Sequence, residues 1–477
     1  MRQKLIRTVI LICVSALIMT AGAGCEKKGT SDVDSGGGSK LSDSQESVKT
    51  ALKYEPNEEL DFGGKELTIS VWGGVVEEGT DEFFDRRYAL ERRTEDRYNV
   101  KIEWVPTDTS TFIQDVTLAY TSGKKFADLM FVPSSYAFDL CKVGAVLPLD
   151  DYIDYDSSFY SLTADNLRYV DGKHYSYMPD DLSVNNLGYY ITYNNTLLNQ
   201  AGCEDPMQLY ENGKWDWDAL KEIINKTTVI ESGETVQYGI GASNLLDALC
   251  ISNGFSMITM DTENHKFECG LYSDAGLNVL NYVREIGYTM KGTDGNYGGH
   301  NSKITFGDSK TAMLICPAYY AGEFVIKGMD VSAVPMPKGP DAKGYTNGLD
   351  LQEWWCVNAA TDFDIKELLQ VALDMNDNDP QYEDTYLSYD DKVEMFKNRM
   401  YDGALFTTEE EADFFRDYVL SEDVETILNI SCNDIRDTIV KNVFGPIIQG
   451  QDPRSVLETV EPVINTALEN MLPESLK

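Results

Sequence analysis

Between Gly172 and Asn194 the chain reads GKHYSYMPDDLSVNNLGYYITYN, two short alternating apolar runs with a polar interruption between them. Tyr175 and Tyr177 share one face of the first run, Pro179 breaks it, and Tyr189, Ile191 and Tyr193 share one face of the second. Alternation at a period of two is the pattern of a half-covered strand, so the stretch predicts a strand, a crossing segment and another strand. Leu197 and Leu198 then supply one apolar helical turn that stops at Gly202. In WDWDALKEIINKT, Asp216 stands where a helix N-cap belongs and Leu220, Ile223 and Ile224 form the buried stripe.

Upstream, from Lys65, the pattern is strand then helix. Leu67, Ile69 and Val71 alternate toward Trp72 and Gly73, and Thr80 precedes a helical run through Phe83, Phe84, Tyr88 and Leu90. Val100, Ile102 and Trp104 alternate next; Phe112, Val116, Ala119 and Tyr120 recur at helical spacing; residues 127–132 read as a short buried strand before Pro133. Strands alternating with helices imply an α/β architecture with a mostly parallel sheet covered on both faces. Ligands of such sheets bind beyond the C-terminal strand ends, which singles out Trp72, Gly73, Ser134, Ser135 and Tyr136.

At 477 residues the chain exceeds one ordinary core, and two lobes are expected. Its formal charge of −39 repels a polyanion and excludes nucleic acid as a partner. The first residues carry Arg2, Lys4 and Arg7 ahead of an apolar run from Leu5 to Met19, the form of a secretory signal over residues 1–24. Ala21-Gly22-Ala23-Gly24-Cys25 resembles the lipobox of bacterial lipoproteins, which would make Cys25 a lipidated N-terminus; Gly22 departs from the usual leucine. Residues 25–60 are rich in Gly, Ser and charge and read as a flexible tether. Beyond Cys13 and Cys25, seven scattered cysteines without a C-x-x-C pair indicate buried thiols, neither a disulfide framework nor a zinc ribbon.

Further along, GTDGNYGGHNS reads as a surface loop, Ala312 to Ile315 as a buried strand opening onto Pro317, Tyr319 and Tyr320, and VSAVPMPKG as another strand. A second crossing is expected through Asp350 to Val357. The remainder is helical, with stripes such as Ile365, Leu368, Leu369 and Ala372.

The order of these pieces resembles the extracellular solute-binding proteins of ABC importers, family 1, the carbohydrate-binding group. The carrying residues are Gly172-Lys173-His174-Tyr175 with Pro179, Ile191 through Leu198, Trp215-Asp216-Trp217-Asp218, Ala312-Met313 and Val334-Pro335-Met336-Pro337 with Gly339. The resemblance implies a two-lobed periplasmic-binding-protein-like fold of type II with a hinge. Lobe 1 would hold residues 61–187 and about 352–405, lobe 2 residues 188–351 and about 406–477. It also implies a monomer on the extracytoplasmic face of the membrane, closing on a sugar and handing it to permease subunits.

A neutral sugar needs flat apolar faces for its ring and a few amides or carboxylates for its hydroxyls. Trp72, Tyr136, Tyr319 and Trp354 are the stacking candidates, with Tyr319 on the position where the resembled family often stacks a tryptophan. Asp181, Asn185, Asn186 and Asp350 are the polar candidates, lying in or beside the crossings. Each aromatic can equally be core, and Trp215 and Trp217 read as structural. No cofactor, metal or catalytic residue is indicated: His174, His265 and His300 sit in no metal motif, and neither G-x-S-x-G nor a Walker loop occurs. The string from Asp374 to Asp379 begins like a calcium loop but has Asp379 where glycine is required. A surface glycoside hydrolase or esterase, or a ligand-sensing partner of a receptor, stands as the alternative.

Overall fold

The structure is a computed structural model that describes residues 59–71, 78–79, 82–108, 110–153, 155, 168–177, 188–297, 300–317, 324–325, 327–349, 353–375, 397, 406, 408–421, 423–430, 433–473 and 476. The first part runs β1 (Lys65–Val71), α1 (Glu82–Tyr98), β2 (Val100–Val105), α2 (Phe112–Thr121), β3 (Leu129–Pro133) and α3 (Ser134–Val143). Leu67 and Ile69 are fully buried, as is Met130 between Leu129 and Val132 in the strand that continues the sheet. β1 pairs in parallel with both β2 and β3.

The next part runs β4 (Tyr189–Asn194), α4 (Asn195–Gln200), α5 (Pro206–Glu211), α6 (Trp217–Thr227), β5 (Val229–Glu231), β6 (Glu234–Ile240), α7 (Leu245–Ser252), β7 (Ile258–Asp261), β8 (Lys266–Cys269), α8 (Asp274–Arg284), α9 (His300–Gly307), β9 (Thr311–Pro317) and β10 (Val331–Pro335). Asp216 does cap α6, its carboxylate accepting from Ala219 N at 2.9 Å, and Leu220, Ile223 and Ile224 are buried. Both tryptophans around that cap are structural: Trp215 Nε1 donates to Pro335 O at 2.7 Å and Trp217 Nε1 to Ser252 Oγ at 3.0 Å. α7 is buried along all eight residues, so it is a core helix lying inside its lobe.

The chain then passes through β11 (Thr346–Leu349), β12 (Glu353–Val357), α10 (Ile365–Asp374), α11 (Glu409–Val419), β13 (Glu425–Leu428), α12 (Asn433–Ile439), α13 (Gly445–Ile448) and α14 (Pro453–Asn470). β12 joins the first sheet antiparallel to β3, giving the order β12-β3-β1-β2. The second sheet has the order β10-β4-β9-β6-β5, and β11 and β13 form a parallel pair of their own.

The two sheets differ in a way that the strand-helix alternation does not anticipate. The first is parallel apart from β12, whereas the second is mixed: β4 is antiparallel to both neighbours, β5 is antiparallel to β6, and only β6 and β9 are parallel. The reason lies in the crossings. A strand that arrives from the other lobe enters at the end where its neighbours finish, so β4 and β12 must both run against them.

Candidate functional site

Strand direction decides which ends of the sheets face each other. β12 enters its sheet at Glu353, opposite Pro133 at the C-terminal end of β3. β4 enters its sheet at Tyr189, opposite Pro317 at the C-terminal end of β9, and Tyr190 lies opposite Pro335 at the end of β10. Both crossings therefore attach at C-terminal strand ends, and the ends of β1 and β3 are turned toward those of β9 and β10. This is the arrangement in which the loops beyond parallel strands line a ligand cleft.

The described ends of the crossings lie side by side. Tyr177 and Trp355 exchange backbone hydrogen bonds of 3.0 Å in both directions, fixing the lobe-1 ends to one another. At the lobe-2 ends, Gly188 has φ +60°, and a Cβ on it would stand 2.1 Å from Gly348 O and 2.6 Å from Asn347 Oδ1. Only glycine lets two backbones approach so closely in a left-handed conformation. Asn429 Nδ2 donates to the Tyr189 hydroxyl at 3.3 Å, bringing the chain beyond β13 to the same place.

Several of the residues singled out from the sequence lie outside the described residues: Trp72, Gly73, Asp181, Asn185, Asn186, Tyr319 and Asp350, together with Cys25. Trp72 and Gly73 directly follow β1, and Tyr319 follows β9 by two residues. Ser134 opens α3 and Ser135 is buried beside it. Tyr136 is half-buried with one face stacked on Phe112 at 5.8 Å and 12°, and burial, with Asp139 nearby, raises its hydroxyl pKa. Trp354 is 1% exposed and packs edge-on against Phe138 at 5.7 Å. A ring so enclosed supports the sheet and offers no face to a ligand in this conformation.

The structure also assembles a polar network that the sequence reading passed over. Beyond the end of β6, Asn244 precedes α7 with φ +50°, and its side chain makes no cap hydrogen bond. Its Oδ1 instead accepts from Arg436 Nη2 on α12. Arg436 Nε lies 3.6 Å from Asp247 Oδ2, the same oxygen that accepts the Tyr297 hydroxyl, and the guanidinium stands 5.7 Å from the Tyr297 ring centroid. Burial, reinforced by the Asp247 charge, holds the Tyr297 pKa well above its ordinary value, so the phenol remains a donor. The one signal for this in the sequence is a carboxylate inside an otherwise apolar run, Leu245-Leu246-Asp247-Ala248-Leu249.

The glycine-rich stretch read as a surface loop is tied to this end of lobe 2. Asp294 Oδ1 accepts from Ala242 N at 3.0 Å and from Ser302 Oγ at 3.0 Å, and Thr293 bridges to Ile240. A carboxylate placed among backbone donors fixes the loop to the turn that carries Asn244.

A separate pocket of about 470 Å³ is lined by Asp150, Asp151, Tyr152, Ile153, Tyr155, Arg168 and His174. His174 is buried, its Nδ1 is 2.7 Å from Asp150 Oδ1, and Tyr155 stacks on it at 3.9 Å. Leu147 N donates to Val357 O and Leu149 N to His174 O, which puts this pocket beside the C-terminal end of β12. Asp374, at the head of the calcium-like string, is fully buried and receives Arg97 Nη1 at 3.0 Å, an ion pair within lobe 1. Among the described residues no group of three or more metal-ligating side chains converges, and no helix is long and apolar enough to cross a membrane.

Known structures share this architecture. A cyclic α-maltosyl-1,6-maltose binding protein from Arthrobacter globiformis superposes with TM-score 0.61 at 14% identity, covering 86% of this chain and all of its own (100%). A cyclo/maltodextrin-binding protein complexed with maltotetraose gives TM-score 0.59 at 14% identity, with 86% and 98% covered. An ABC substrate-binding protein from Listeria monocytogenes in complex with cycloalternan gives 0.57 at 16% identity, with 85% and 99% covered. At these identities the likeness shows the fold, two lobes of α/β structure. No curated protein matches the sequence. The sequence profile described as bacterial extracellular solute-binding protein matches residues 75–351, more than half of the chain, so this chain belongs to that family.

Proposed function

We propose that this protein is the membrane-tethered substrate-binding component of an importer, and that it captures a sugar or oligosaccharide between its lobes and releases it unaltered to permease subunits. The observation carrying the proposal is that both crossings attach at C-terminal strand ends, so that the loop-bearing ends of the two sheets oppose each other. The paired crossings form the hinge, with lobe 1 as residues 61–187 and about 352–405 and lobe 2 as residues 188–351 and about 406–477. Closure about such a hinge is the motion that a two-lobed binder uses to enclose its ligand.

In this reading Trp72, Tyr136 and Tyr319 offer ring faces, while Ser134, Ser135, Asp181, Asn185, Asn186 and Asp350 pair with hydroxyls and Gly73 allows close backbone approach. Stacked faces add on the order of 1 kcal/mol each beyond buried area. The relatives in the comparison structures bind maltotetraose, cycloalternan and a cyclic maltosyl-maltose, which favours a glucan-like ligand here. Acylation at Cys25 behind a polar tether holds the protein at the extracytoplasmic face of the membrane.

The test is isothermal titration of the purified protein with a panel of neutral oligosaccharides, with the solution afterwards analysed for products. Saturable binding with every sugar recovered intact supports the proposal. Release of shortened products, or binding of no glycan, overturns it. For the anchor, Cys25→Ser should move the protein from the membrane fraction to the medium, and retention in the membrane would refute acylation.

A further inference from the structure

We infer that Asn244 and Arg436 contact the ligand from lobe 2 and select an uncharged, hydroxyl-bearing glycan over an acidic one, with Asp247 and Tyr297 as the positioning residues. The inference rests on the proposed function, because it names the ligand class of the same cleft.

Three local rules are broken within four residues. Asn244, a non-glycine, holds φ +50°. Ahead of a helix, an asparagine ordinarily accepts from the exposed N–H groups of the first turn, yet the side chain of Asn244 makes no such bond and turns to Arg436 instead. Asp247 is 1% exposed within a helix whose other residues are buried too. Each departure costs stability, and departures of this kind collect where a sequence answers to function. What they secure is one planar guanidinium, held at fixed orientation by Asn244, Asp247 and the Tyr297 ring, with 27% of its side chain still exposed.

The network lies where a ligand would be. Asn244 follows the C-terminal end of β6, and α7 reaches from there to the crossing, where Thr346 Oγ1 donates to Ile251 O at 2.7 Å. α12, which carries Arg436, begins after β13, whose last residue Leu428 pairs with Leu349 at the same crossing.

Charge decides the ligand class. Asp247 sits behind Arg436 and balances it, so an approaching carboxylate meets a neutral pair within a chain of formal charge −39. A hydroxyl loses nothing by that balance, because the guanidinium N–H groups and the asparagine amide are donors at fixed positions. Tyr297 donates to the same Asp247 oxygen that faces Arg436 and so holds the carboxylate in place.

Binding is measured by calorimetry on the full chain with the tightest neutral oligosaccharide of the panel and with its C6-carboxylated counterpart. The wild type should prefer the neutral form by at least about ten-fold. Asp247→Asn, close in shape but uncharged, should raise affinity for the carboxylated form by about ten-fold relative to the neutral one, since it leaves Arg436 unbalanced. Asn244→Gly suits the left-handed backbone, so it should keep or raise the melting temperature while weakening neutral-glycan binding by about ten-fold. Wild-type preference for the acidic sugar, an Asp247→Asn effect equal on both ligands, or unchanged affinity in Asn244→Gly would each overturn the inference and leave the binding role intact. Failure to bind any glycan would instead remove the binding role, and this inference with it.

Discussion

Replacing Gly188 by alanine should damage this protein through its crossings, and the size of the effect can be worked from two distances. The added Cβ would stand 2.1 Å from Gly348 O, whereas ordinary contact begins at 3.4 Å, so one crossing must move by 3.4 − 2.1 = 1.3 Å against the other. Overpacking of that kind costs about 1–3 kcal/mol. The left-handed φ of +60° adds roughly 1–2 kcal/mol for any residue with a Cβ. The expected loss is therefore about 2–5 kcal/mol. Gly202 supplies the control: its φ is +64° but nothing lies within 4 Å of a Cβ there, so Gly202→Ala should show the conformational cost alone. Urea denaturation followed by circular dichroism measures both variants, and their difference isolates the steric part. Equal losses at the two positions would refute the claim that close approach of the crossings requires glycine, and with it the account of how the lobes are joined.

Other outcomes follow from buried groups and caps. Trp354→Ala, which empties a site packed on Phe138, should lower stability by about 3–5 kcal/mol and disrupt lobe 1 as a whole; a stable protein with selectively weakened glycan binding would contradict the core placement. Asp374→Asn leaves the guanidinium of Arg97 with a neutral partner in a site only 11% exposed, and should cost about 3–5 kcal/mol in denaturant titrations; a change under about 1 kcal/mol would show that the pair contributes little. Asp452 caps α14 by accepting from Ser455 N at 3.0 Å, and this backbone bond, with the Ser455 hydroxyl, holds its carboxyl below the usual carboxylate range. A lowered folded pKa gives stability that is present above the unfolded value of about 3.9 and is lost as pH falls through the folded one. The protection factors of the first-turn amides of α14, that is exchange corrected for its intrinsic pH dependence, should fall only below about pH 4, and Asp452→Asn should abolish that fall.

Much of the architecture could be read from the chain because it depends on neighbours in sequence. The alternation of Leu67, Ile69 and Val71 reports a strand wherever it is packed, and Asp216 caps its helix through an amide three residues away. Of the strand pair expected around Pro179, Tyr189 to Asn194 is a strand, whereas the run with Tyr175 and Tyr177 makes only isolated bridges because it meets Trp355 at a single position. Pro179 with the segment after it lies outside the described residues. The Trp215 and Trp217 pair framed a helix start as expected. The candidate site was less legible. Trp354 shares its composition and setting with a stacking residue, and only its packing against Phe138 places it in the core. The run from Gly292 to Ser302 has the glycine content of a surface loop, yet Asp294 ties it to the backbone of Ala242.

What the sequence by itself determined is most of the strands and helices, through periodicity, capping and turn chemistry whose range is a few residues. The two lobes were expected from chain length and, like the family, from the resemblance of its ordered motifs. Only the tertiary structure decided the strand directions of the second sheet, the contact of Gly188 with Gly348, and the meeting of Asn244 with Arg436 across 192 positions of chain. The physical reason is that a hydrogen bond or a close approach between distant segments leaves no period in either of them. It exists once both lobes have packed and the chain has crossed between them.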